Sequence, residues 1–375
     1  MNQKMVAIIA VIIVAVAAVA VAAVVMSNDN GGGDSGDRVV TDIRGREVTI
    51  PQDVNKVVCV SAGALRMVSY FDIDRVVGID SMDSGKSGSP ANYNLATYRV
   101  AYADQIKNKI DVGDASSFKE IADTGADVIF TTTEGVETLN NIQDKTGIPV
   151  VGLRAEVYFD LDSLQTFSKQ MRLIGEVFKM DDRADELVNG IEGLFNELET
   201  YKLSATQADL KKSYVCGLMT GMTGNFYKTT GHYLPFSTTV GLNIAPDIAQ
   251  SPYIISAKDI IDRDPEYMFV DVSNYASCMN TMKTDAETLG SISAIANGNV
   301  YSLLSYKYYN TNYENELIDC FAVGKIIAPN IYDFDMEKKA DEILKLFFPN
   351  STITLSSYTA AVGHGIGLID PSEYK

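Results

Sequence analysis

The spacing of apolar and polar positions changes character along the chain, and each change marks a structural element. From Met5 to Met26 (MVAIIAVIIVAVAAVAVAAVVM) there are 22 residues without a polar side chain, enough as a helix to cross about 30 Å of hydrocarbon. VVTDIRGREVTIP (Val39–Pro51) alternates on both sides of Arg44-Gly45, which predicts a β-hairpin. KVVCV (Lys56–Val60) is a continuous buried-strand run, followed by the small-residue loop SAGA and a helical stretch, LRMVSYF. Short apolar runs (RVVGI, DVIFTTT, PVVGL) then alternate with helical patterns, which predicts βαβ units and a parallel sheet. Between Ser163 and about Leu203 the period lengthens to that of a helix. Leu164, Phe167, Met171 and Ile174 mark one face, and Leu187, Ile191, Leu194 and Leu198 another. Asp162 or Ser163 supplies a cap, and DDRADE places acids where a second helix dipole favours them. Together these runs predict a long, stiff helical bridge. MEKKADEILKLFF (Met336–Phe348) predicts a last helix, and no element is predicted beyond Pro349.

The strand–helix alternation is written twice. SFKEIADTGADVIF (Ser117–Phe130) and SAKDIIDRDPEYMF (Ser256–Phe269) align without a gap, so that Lys119, Glu120, Ile121 and Asp123 correspond to Lys258, Asp259, Ile260 and Asp262. Upstream, KVVCVSAGA corresponds to SYVCGLMTG, placing Cys59 and Cys216 in equivalent strands; downstream, TGIPVVGL corresponds to NGNVYSLL. The fold class is therefore α/β, with two parallel-sheet lobes of like topology bridged by a long helix, plus an N-terminal transmembrane helix. The predicted divisions are a membrane anchor (1–26), a flexible linker (27–37), an N-terminal lobe (38–160), bridging helices (161–203), a C-terminal lobe (204–335) and a C-terminal helix with tail (336–375).

Charge and the N-terminus narrow the function. The formal net charge is −18 over 375 residues with no cluster of cations, which excludes a nucleic-acid backbone as partner. The apolar span exceeds a signal peptide's core of roughly 7–15 residues and reads as a retained anchor, although A-x-A matches leave cleavage, and hence secretion, open. Lys4 precedes the span, so the body faces outward by the positive-inside rule. No cysteine near the span provides a lipid tether. Of the four cysteines, Cys59 and Cys216 read as small buried residues, and Cys278 with Cys320 as a bridge candidate; their spacings do not make a zinc site.

Enzyme chemistry finds no support. There are two histidines, His232 and His364, and neither G-x-S-x-G nor H-E-x-x-H occurs. DSGKSGS (Asp83–Ser89) fails the phosphate-loop pattern because Asp80 stands where a glycine is required, and DSMDSG fails the calcium-loop pattern at Met82; the stretch reads as a Ser/Gly surface loop. No cofactor and no protein-held metal are implied, with ferric iron on tyrosinates a minor alternative. What is left is binding at the carboxyl ends of strands. There Ser61, Gly63 and Arg66 follow the first strand, either as a cradle for an anion or oxygen-rich chelate or as a tight turn with Arg66 on a solvated face. Arg154 and Tyr158 follow PVVGL. In lobe two, Thr220, Tyr227, His232 and Tyr233 follow the equivalent of the first strand. SYKYYNTNY (Ser305–Tyr313) follows VYSLL. Tyr306 and Tyr308 are its better cleft candidates, with Tyr309 beside them; Tyr313 reads as core and His364 receives no role.

TDIRGREVTIP, KVVCVSAGALRMVSYFDIDRVVGID, the strands closing ADVIF and PEYMF, TGIPVVGL and GNVYSLLSYKYYNTN together resemble the substrate-binding proteins of ABC importers for iron–siderophore, haem and corrinoid complexes. Within that helical-backbone periplasmic-binding class they resemble most the archaeal iron-complex branch, over roughly residues 38–348. The resemblance implies a monomeric, non-enzymatic protein that captures an iron chelate between its lobes and delivers it to permease and ATPase subunits. Corrinoid or haem is the alternative cargo, and an anchored receptor for a signalling partner is the rival from another class. The family docks on its permease through an exposed Glu on each lobe. Here that position holds Lys119 and Lys258, and Glu120 and Asp259 stand one residue later, turned by about 100° on a helix.

Overall fold

The computed structural model describes residues 36–155, 159, 163–219, 224–248 and 253–375. The apolar span, most of the linker, Tyr158 and Thr220 lie outside the described residues. Among the described residues no helix is long and apolar enough to cross a membrane.

The predicted hairpin forms from β1 (Arg38–Thr41) and β2 (Glu47–Ile50), paired antiparallel. Lobe one follows as β3 (Val57–Val60), α1 (Ala64–Ser69), β4 (Val76–Ile79), α2 (Thr97–Ala101), β5 (Ile110–Asp111), α3 (Phe118–Ala122), β6 (Val128–Thr131), α4 (Val136–Thr146) and β7 (Val150–Gly152). The strand order is β5-β4-β3-β6-β7, every pair parallel. Strands β3, β6 and β7 are buried along their whole length. A parallel sheet covered on both faces requires this, and it explains why their sequences are continuous apolar runs.

The predicted bridge is two helices, α5 (Ser163–Phe178) and α6 (Asp181–Ser204). The chain breaks at Lys179, whose φ is +55°, and the helices fold back on each other: Arg172 pairs with Asp185 at 3.6 Å. The break follows from the two apolar stripes, which face each other only if the chain turns. Helix α5 stays on lobe one, where Arg38 donates to the Glu176 carbonyl at 2.6 Å. Helix α6, about 36 Å long, leads to lobe two.

Lobe two comprises β8 (Lys211–Cys216), β9 (Lys228–Thr229), β10 (Gly241–Asn243), β11 (Tyr253–Ile254), α7 (Ala257–Arg263), β12 (Tyr267–Asp271), α8 (Tyr275–Thr284), β13 (Val300–Leu303), α9 (Tyr313–Ile327), α10 (Met336–Phe347), α11 (Leu355–Val362) and β14 (Gly367–Leu368). Its order is β10-β8-β12-β13-β14. Four strands repeat lobe one (β4, β3, β6, β7), and the fifth is added on the opposite edge. That strand, β14, comes from the tail and runs antiparallel to β13. The repeat extends to side chains: Lys119 pairs with Asp123 at 2.5 Å on α3, and Lys258 pairs with Asp262 at the same places on α7.

The lobes share a core. Phe159, Phe167 and Tyr313 meet with ring centroids 4.7–5.5 Å apart, and one apolar cluster continues from β3 and α1 into α9 and α10. All four cysteines are free and buried. Cys278 lies in the outer core of lobe two and Cys320 in the shared core, so the Cys278–Cys320 bridge is not formed.

Candidate functional site

Strand β3 ends where Ser61 takes a positive φ of +75°, which turns its side chain toward the end of the neighbouring strand. Its Oγ lies 3.1 Å from Thr131 Oγ1 and 2.9 Å from Thr133 Oγ1, and the two threonines are 2.8 Å apart. Thr131 is buried, whereas Ser61 and Thr133 are partly exposed. Three hydroxyls thus form a closed triangle at the carboxyl ends of β3 and β6. Beside it, Asp80 follows β4 and accepts four hydrogen bonds, from the N–H groups of Ser61, Met82 and Asp83 and from the Tyr309 hydroxyl at 2.5 Å. Those donors favour its charged form, but burial and the neighbouring Asp83 outweigh them and push its carboxyl up to about 7. Asp80–Tyr309 is a direct bond between the lobes.

Behind this face lies a buried ionic seam. Arg66 points neither at open cleft nor at solvent. It is fully buried, pairs with Glu314 at 2.8 Å and donates to the Tyr308 carbonyl at 3.2 Å. The second Glu314 oxygen accepts from Tyr70 at 2.7 Å. Arg99 is likewise buried and paired with Asp83 at 2.9 Å, and its guanidinium sits 4.7–5.5 Å from the ring centroids of Tyr93, Tyr98, Tyr308 and Tyr309. The expected surface loop at Asp83–Ser89 is therefore corrected at its start. Asp83 is wholly buried, because it is the counter-ion that lets Arg99 enter the aromatic cage.

The loop between β13 and α9 crosses to lobe one. Tyr306 and Tyr308 are buried (1% and 2% exposed), and Tyr309 is partly open. Of the three, Tyr309 is the one whose hydroxyl reaches across to Asp80. Tyr306 packs on Tyr233, and Tyr313 is core. Tyr309 and Asn310 both have positive φ, and Asn310 lies so close to Gly63 that a Cβ there would stand 2.2 Å from Asn310 Nδ2. Gly63 itself has φ +89°. Gly63→Ala combines a strained backbone with a displaced loop, so it should lower stability by about 2 kcal/mol or more. Guanidinium unfolding checks this, and a loss under 0.5 kcal/mol would refute the contact.

The other candidates are dispersed. Arg154 is exposed, with its N–H donating to Gln170 at 2.6 Å. Tyr227 donates to Asp285 at 2.9 Å and is pushed up to about 12 by burial and that carboxylate. His232 is exposed, and its N–H donates to Thr230 at 3.2 Å. Tyr233 is buried against Phe236. Glu120 and Asp259 are exposed in the first turns of α3 and α7. Two surface hollows of about 410 and 350 Å³ lie at the opposite, amino-terminal ends of the sheets, around Lys212 with Arg263 and around Asn55 with Arg75. The Ser61–Thr131–Thr133 group and Asp80 lie at the other, carboxyl ends of the strands. Among the described residues no group of three or more His, Cys, Asp or Glu could hold a metal ion.

Sequence reasoning missed Thr131, Thr133, Asp80, Asp83, Tyr98 and Arg99. The threonines carried a signal, since TTT ending a buried strand puts hydroxyls at its carboxyl end. The Asp80–Asp83 turn carried none beyond its spacing.

Residues 57–306 match the sequence profile of the periplasmic binding protein family. The chain belongs to that family. No curated protein sequence matches this periplasmic binding protein. Among solved structures, a periplasmic solute-binding protein from Veillonella parvula superposes with TM-score 0.67 at 20% identity, covering 86% of this chain and 96% of its own. The molybdate periplasmic binding protein MolA of Haemophilus influenzae gives 0.64 at 19%, covering 85% and 100%. The catecholate-siderophore binding protein VctP of Vibrio cholerae gives 0.52 at 16%, covering 76% and 99%. At these identities the likeness is one of fold.

Proposed function

We propose that this periplasmic binding protein is the extracytoplasmic receptor of an ABC importer. It captures a siderophore-type iron chelate between its lobes and delivers it to the permease and ATPase, with residues 5–26 as its membrane anchor. The observation that carries this reading is the Ser61–Thr131–Thr133 triangle beside Asp80 and Tyr309. Hydroxyls both donate and accept, which suits the mixed oxygen and N–H periphery of a metal chelate. Tyr309 adds a stiff amphipathic ring from the opposite lobe. Arg66 and Arg99 are already paired, so they support the walls of the site rather than touching cargo. The neighbouring folds named for molybdate and catecholate siderophore favour an oxygen-rich ligand. The shared core and the buried Arg66–Glu314 pair favour small lobe movements. Glu120 and Asp259 are the proposed permease contacts, supported by their exposure and their equivalence in the repeat.

Equilibrium dialysis of the purified protein against ferric tris-hydroxamate, ferric tris-catecholate, haemin, cobalamin, molybdate and ferric ion tests the reading. One chelate should bind at micromolar affinity or tighter, and Ser61→Ala with Thr133→Val should weaken it about 10–100-fold. Binding untouched by both changes would move the ligand elsewhere. Silence across the panel would favour an anchored signalling receptor.

A further inference from the structure

The thiol nearest Cys278 is that of Cys216, not Cys320. Cys216 closes β8, and Cys278 lies one turn into α8. Both are fully buried in the outer core of lobe two, and the Cys278 thiol is close enough to help hold that of Cys216 above its ordinary range. The next residue, Gly217, has φ +82°, and a Cβ built there would stand 3.1 Å from Cys278 Sγ. Asn274 fixes the same spot by donating to the Gly217 carbonyl at 2.6 Å. The helix sulfur therefore rests against the backbone that leaves Cys216, where a side chain at 217 would crowd it.

We propose that Cys216 and Cys278 are a disulfide-forming pair, closed in the oxidising compartment where a periplasmic binding protein works. This rests on family membership and not on the identity of the cargo. The oxidant is a disulfide, either of a small thiol or of an exchange protein. One cysteine thiolate attacks a sulfur of the donor and expels a donor thiolate. The second cysteine thiolate then attacks the mixed disulfide and expels the other. The two cysteines lose two protons and two electrons, and the donor disulfide becomes two thiols. Burial holds the Cys216 thiol well above its ordinary range and shields both sulfurs. The exchange therefore belongs to the folding chain, before lobe two closes over them. The bond staples the exit of β8 to α8, at the base of the loop that carries Tyr227.

The test is refolding of the full chain from denaturant with and without a glutathione redox pair, followed by denaturing alkylation and peptide mapping by mass spectrometry. In the oxidised sample, Cys59 and Cys320 should be alkylated, with the Cys216 and Cys278 peptides joined and lighter by two hydrogens. The oxidised protein should melt about 5–10 °C above the reduced one, and Cys278→Ala should abolish that difference. Four alkylated cysteines after oxidative refolding, or Cys278 joined to Cys320, would overturn the proposal. The mapping needs no variant, so a poorly folding Cys278→Ala leaves it decisive.

Discussion

Glu314→Ala is expected to lower folding stability by about 3–5 kcal/mol, the cost of leaving a buried charge without its partner. Arg66 and Glu314 are both fully buried, so water cannot replace the lost carboxylate. Tyr70 would lose its acceptor in the same step. Because Arg66 belongs to α1 of lobe one and Glu314 to α9 of lobe two, the damage falls on the seam and should spread to Tyr308, whose carbonyl shares the guanidinium. The paired change Arg66→Met with Glu314→Leu should recover most of the loss, since it removes both charges and retains apolar volume. Guanidinium unfolding of the two variants and the parent protein provides the comparison. A Glu314→Ala penalty below 1 kcal/mol would mean that the pair is hydrated in solution.

Stability should also fall as pH rises from about 5 to 8. Burial pushes the carboxyls of Asp80 and Asp271 up to about 7, whereas an unfolded chain titrates aspartate near 3.9. Between those values the folded protein holds protons that the unfolded chain has released. The contribution is fully present below the unfolded value and is lost as pH passes through about 7. At its steepest the dependence is about 1.4 kcal/mol per pH unit for each group. The surface aspartates held low by lysines or backbone N–H groups, such as Asp53, Asp104 and Asp114, titrate below this window and do not cancel it. Tyr309→Phe removes a donor that favours the Asp80 carboxylate, so it should move the loss to higher pH. Unfolding free energies at pH 5, 6, 7 and 8 for both proteins check the sign; a flat profile would show that water or ions reach these carboxyls.

The elements that depend on near neighbours were legible. The β1–β2 hairpin, the buried runs of β3, β6 and β7, and the repeat linking α3 to α7 all follow from periods of two to four residues, and those periods are written in consecutive positions. Ser61 and Gly63 were legible for the same reason, since small residues after a buried strand mark a turn at a sheet edge. The break at Lys179 was not. Both helical stripes were visible, but whether they form one rod or fold on each other depends on what covers their faces.

By itself the sequence determined the two-lobed α/β plan, the anchor-like apolar segment, the absence of recognisable enzyme motifs and which residue types stand at the strand ends. Tertiary structure alone decided which residues meet there. Arg66 finds Glu314 across 248 positions, and Tyr309 finds Asp80 across 229; neither pairing has a local signature. It also placed Cys278 beside Cys216, turned the tail into β14 and brought Thr131 and Thr133 to Ser61. The physical reason is the same in each case. Backbone geometry and side-chain periodicity are local, whereas burial of charge, hydroxyl and thiol is settled by whatever distant group the completed fold brings within hydrogen-bonding reach.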